Sequence, residues 1–131
     1  MMTFMIIITA IMATCLTYFI CFNLNKGPVL ASAIVTLISG LLLPYFFSTG
    51  GSLLAGVATC GSYAAMVSKA KFPRFTDMVF VGIICGIVFA LTQDVFIGVG
   101  GKLGSIAAIS GFTWLGIRRV MKHINIKKST R

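Results

Sequence analysis

The chain has 131 residues with a mean hydropathy of +1.04, 58% apolar and only 10% charged. A soluble domain of this size needs roughly 25% charged residues to keep its surface wet, so that class is excluded. The net charge of +9 does not point to nucleic acid, because the cations sit beside apolar runs, where membrane proteins keep them, and no nucleic-acid-binding motif accompanies them.

The first apolar stretch covers 2–22. It has no basic start and is longer than the roughly 7–15 residues of a signal-peptide core, so it is expected to be a retained span. No charge occurs before Lys26, and none between Lys26 and Lys69. Such a run implies lipid, whose core takes about 20 apolar residues per helix. The second span is expected over 28–47. A neutral "STGGS" leads into a third over about 53–68. The cationic loop "KAKFPRFTD" then precedes a fourth over about 78–97, and "GVGGK" opens a fifth over about 103–117.

The expected fold class is therefore an all-α polytopic integral membrane protein with five transmembrane helices. Ten of the eleven Lys and Arg fall on one side of this layout and Lys102 alone on the other. The positive-inside rule then puts the N-terminus outside and the C-terminus in the cytoplasm, in a multi-pass cell (inner) membrane protein.

Displacing the chain by fifty residues aligns Gly50 with Gly100, Gly51 with Gly101, Leu53 with Leu103, Ala58 with Ala108 and Gly61 with Gly111. Small residues recur every four positions in the preceding spans: Ser32, Thr36, Gly40 and Pro44 in one, Gly82, Gly86, Ala90 and Asp94 in the other. Such ridges let a neighbouring backbone approach, which drives helix association in lipid. The chain thus reads as one membrane domain: a leading span 2–22, parallel hairpin repeats 27–69 and 77–119, and a basic tail 120–131. Helix-packing positions are Ser32, Thr36, Gly40, Gly82, Gly86 and Ala90.

Asp94 is the most informative side chain, since a carboxylate inside a span is costly and calls for a partner. Lys102 lies across the glycine turn, and Thr92 and Gln93 flank the acid. With the helix starts at Gly50, Gly51, Gly100 and Gly101 they form a candidate solute- or ion-binding set, because helix N-termini favour anions. Cys15, Cys60 and Cys85 fall at similar depth but lack metal-ligand spacing and nearby histidine, so no metal or cofactor is expected. Asp77 is expected to cap the start of the fourth span, and Trp114 and Tyr63 to serve packing. With two carboxylates and no nucleophile motif, an enzyme is not expected.

The leading expectation is a small channel or transporter module for a small solute or ion, working as a homo-oligomer. The alternatives are a non-conducting subunit docking a second membrane protein and a lysis-type pore former. Expected partners are the bilayer, anionic lipid head groups at the basic tail, and further copies or a second membrane subunit; nucleic acid is not one.

Overall fold

The computed structural model describes residues 1–24, 27–66, 71–95 and 101–129, and among these the regular structure is all helical. The helices are α1 (Met2–Leu24), α2 (Pro28–Phe46), α3 (Gly51–Ala65), α4 (Phe75–Thr92) and α5 (Lys102–Ser129). Three stretches are long and apolar enough to cross a membrane: Met2–Asn23, Pro28–Phe46 and Phe75–Thr92. Lys26, Lys69 and Gly100 lie outside the described residues.

The starts of three helices have a local cause. Pro28 opens α2, where its fixed φ suits a first helical turn and its missing N–H goes unneeded. Gly50 turns the chain from α2 into α3 with φ +89°, a left-handed conformation that costs a side chain energy. Pro73 keeps the segment before α4 extended, and α4 begins two residues later. It ends at Thr92.

Two elements differ from the sequence expectation. α4 stops short of 97, so Asp94 falls in the turn beyond it and is exposed. α5 does not end near 117 but runs on through most of the basic tail. The tail contains neither Gly nor Pro before Ser129, and Ile117, Val120, Met121 and Ile124 recur at helical spacing.

The bundle is organised around α1, which packs against α4, α3 and α2. Its inner face is Ala10, Ala13, Thr14 and Thr17, all buried. The small positions of its neighbours meet that face. A Cβ on Gly61 of α3 would lie 2.9 Å from the Ala10 carbonyl oxygen. One on Gly86 of α4 would lie 2.8 Å from the Ile7 Cα, and one on Gly82 would lie 2.6 Å from the Thr14 hydroxyl. These backbones therefore approach as only glycine allows, the kind of association available where hydrophobic burial gains little. The two threonines of this face satisfy their buried hydroxyls on their own helix, Thr14 at the Ala10 carbonyl and Thr17 at the Ala13 carbonyl.

The fifty-residue correspondence does not extend to neighbours. Ser32 and Thr36 of α2 face α3, the next helix in the chain, where each hydroxyl lies 3.1 Å from that of Ser62. Gly82 and Gly86, their counterparts, face α1 instead. Ala90 is half-buried, and Gly40 is exposed, with no atom within 4 Å of where a Cβ would stand. The centre between α3, α4 and α5 is filled by Val57, Cys60, Val81, Cys85 and Ile106.

Candidate functional site

Among the described residues, the charged side chains of the helices belong to α4 and α5. α1, α2 and α3 contain no ionisable acid or base other than cysteine and tyrosine, whereas the residues of α4 and α5 include Asp77, Lys102, Arg118, Arg119, Lys122 and His123. These groups gather at the two ends of the α4–α5 pair.

At the glycine end stand the residues that the sequence singles out. Gly51 is buried, and a Cβ there would lie 2.6 Å from the Leu43 carbonyl oxygen and 2.7 Å from the Pro44 Cα, so it fixes the closeness of the α2–α3 turn. Gly101 is exposed with open space around it. Gly51 and Gly101 thus have different surroundings. Thr92 and Gln93 are half-buried, and Lys102 sits at the start of α5. Lys102 does not pair with Asp94. Its ammonium donates to the Gln93 carbonyl at 3.1 Å and lies 5.7 Å from the centre of the Phe89 ring. A cation there satisfies an otherwise orphaned carbonyl and complements the negative end of the α4 dipole. Asp94 is left facing outward.

At the basic end is a more closely built cluster. Asp77, in the first turn of α4, is buried but makes no capping bond to its own helix. Its Oδ1 accepts from the Trp114 indole N–H at 3.2 Å, and its Oδ2 lies 3.1 Å from a guanidinium nitrogen of Arg118. The same nitrogen donates to the Lys71 carbonyl at 3.0 Å. This is the ion pair present among the described residues. Nearby, the Tyr18 hydroxyl donates to the Phe72 carbonyl at 3.1 Å, which joins α1 to the segment entering α4. The Phe80 and Trp114 rings stack with centroids 4.4 Å apart.

Sequence reasoning assigns Asp77 to capping and Trp114 to packing, and so misses this cluster. The available signal is the spacing of Trp114 and Arg118, four apart on one helix face, in a chain with only two acids. Of the cations around the start of α4, the carboxylate pairs with Arg118, which α5 holds in place.

Cys60 and Cys85 meet across α3 and α4 with sulfurs 3.4 Å apart, and Cys60 donates to the Leu103 carbonyl at 3.3 Å. Cys15 is half-buried. Among the described residues no three His, Cys, Asp or Glu side chains converge on a metal position.

No protein-family model, curated protein or solved structure matches the chain.

Proposed function

We propose that this chain is a small channel or transporter module that crosses the cell membrane with five helices, N-terminus outside, and moves a small solute or ion as a homo-oligomer. The reading rests on the outward face of α5. Within 103–117 its exposed positions include Gly104, Ser105, Ala108, Thr113 and Gly116, with Ile109 and Phe112 among them. The exposed face of α2 offers hydrocarbon instead: Val29, Leu30, Leu37, Ile38, Leu41 and Leu42. Lipid suits the second face well. The first favours close approach of another helix or contact with water.

A path along α5 between copies also accommodates the filled centre of each chain. Asp94, Gln93, Thr92 and Lys102 then stand at its outer mouth, with Asp77, Arg118 and Lys122 at its inner mouth. Flux through liposomes tests the reading. Wild type should carry a small ion or solute that empty liposomes do not, and Asp94→Asn should change its rate or selectivity. Identical flux for every solute carried removes Asp94 from the path; no flux at all removes the function.

The filled centre favours a second reading, a non-conducting subunit whose α5 face docks another membrane protein. Purification in mild detergent separates the two: a stoichiometric foreign partner supports docking, and a self-contained oligomer supports transport.

A further inference from the structure

Because α5 continues past the bundle, it leaves a groove of about 880 Å³ against the start of α4. Its polar wall brings Arg74 from before α4 together with Arg118, Lys122 and Asn125 from α5. Asp77 at its base is more than nine-tenths buried, and its Oδ2 has Arg118 at ion-pair distance but no hydrogen bond. Three cations against one carboxylate leave an excess of two positive charges around the groove. The only other acid in the sequence is Asp94. It lies seventeen residues along, or about 25 Å away by helical rise, so Arg74 and Lys122 have no acidic side chain to neutralise them.

The groove is also amphipathic. Phe80, Ile117 and Met121 line it and are each more than two-fifths exposed, and the Trp114 ring stacks behind Phe80. Arg118 is already ordered by Asp77 and the Lys71 carbonyl, so its remaining N–H groups lose little freedom on meeting an anion. Fixed guanidinium, two unneutralised cations and an adjoining apolar wall match a singly charged phosphodiester attached to acyl chains.

We propose that this groove is a binding site for an anionic phospholipid, with the phosphodiester held by Arg74, Arg118 and Lys122 and an acyl chain against Phe80 and Ile117. The assignment goes beyond the conduction reading and holds equally for a conducting and a non-conducting protein.

The chain has a single tryptophan, Trp114, and it lines the groove. Its fluorescence is therefore a local probe. The full chain is reconstituted into phosphatidylcholine vesicles containing a minor fraction of acyl-brominated phosphatidylglycerol or, at equal mole fraction, acyl-brominated phosphatidylcholine. Brominated phosphatidylglycerol should quench Trp114 more strongly, with an apparent affinity about tenfold above that of the zwitterionic lipid. The double variant Arg74→Gln/Lys122→Gln should lose that preference, whereas Arg119→Gln, which removes a cation outside the groove, should keep it. Trp114 emission in bromine-free vesicles verifies the fold of each variant. Should the double variant fail to fold, loss of the preference in each single variant, against its retention in Arg119→Gln, serves instead.

Equal quenching by the two lipids would overturn the site. So would a preference that Arg119→Gln removes as fully as the groove variants do, because that is bulk attraction to a basic protein. Relief of quenching by inorganic phosphate would assign the groove to a free anion, and relief by an acidic peptide would assign it to protein; both overturn the lipid.

Discussion

Gly86→Ala is the sharpest test of how the bundle is held together. The added Cβ would stand 2.8 Å from the Ile7 Cα and 3.2 Å from the Ile7 Cγ1, where carbon atoms prefer roughly 3.5–4.0 Å. The obstruction is backbone, so no rotamer change relieves it, and α1 must retreat from α4 by about 1 Å. Overpacking of this kind costs about 1–3 kcal/mol. Alanine returns up to about 1 kcal/mol through helix propensity, so the net loss is up to about 2 kcal/mol.

Gly40→Ala is the control, because its Cβ would meet nothing within 4 Å. There only the propensity gain of up to about 1 kcal/mol remains. The two substitutions should therefore act with opposite sign. Cys60 and Cys85 are fully buried and report opening through their labelling by a thiol reagent in micelles, read by peptide mass. Gly86→Ala should speed that labelling by up to about thirtyfold, since 1.4 kcal/mol is a factor of ten when labelling follows the open population. Gly40→Ala should leave it equal or slower. Equal acceleration by both would refute close α1–α4 packing.

At the α2–α3 turn, Gly51→Ala should lower stability by about 1–3 kcal/mol, because its Cβ would run into the Leu43 carbonyl and Pro44 Cα. Gly101→Ala, in open space, should be nearly neutral in the same unfolding measurement. Ser62→Ala removes the hydroxyl shared by Ser32 and Thr36 and should cost about 0.5–1.5 kcal/mol, seen as a lower thermal midpoint in micelles. Asp77→Ala strands the Trp114 N–H and the Arg118 guanidinium. With Arg118 35% exposed, the cost should be about 1–3 kcal/mol rather than that of a fully buried pair, and the Trp114 emission should shift. Asp77→Asn, which retains an acceptor for the indole, should cost less.

Composition and charge-free runs make the helices legible, because a backbone surrounded by hydrocarbon has few other options. The start of α2 at Pro28 and the turn at Gly50 follow from residues whose backbone preferences are strong. The extent of α5 escapes the sequence pattern for a physical reason: positive charge marks the end of a span but not the end of a helix, and the tail has no residue that stops one. Hydropathy alone continues to Ile97 and so places Asp94 inside α4, whereas the helix ends at Thr92. Small-residue periodicity identifies Gly82 and Gly86 as contact positions but not their partner. The complementary face on α1, Ala10, Ala13, Thr14 and Thr17, has the required spacing but stands outside the fifty-residue repeat that draws attention to the others.

The Asp77–Trp114–Arg118 cluster is hidden for a different reason. Asp77 comes from α4 and the other two from α5, and their meeting depends on the rotation of α5 about its own axis, which no single-helix pattern specifies. The pairing of Cys60 with Cys85 is of the same kind.

Water accessibility along α5 tests the proposed path most directly. In a chain whose four cysteines are replaced by alanine, Ser105→Cys and Thr113→Cys are exposed in vesicles to a hydrophilic thiol reagent that reacts with the ionised sulfur, and Leu37→Cys is treated alongside. The α5 positions should be modified, with conduction altered as they are, while position 37, facing hydrocarbon, stays unmodified. If positions 105 and 113 prove as inert as position 37, α5 borders no water and the path does not exist.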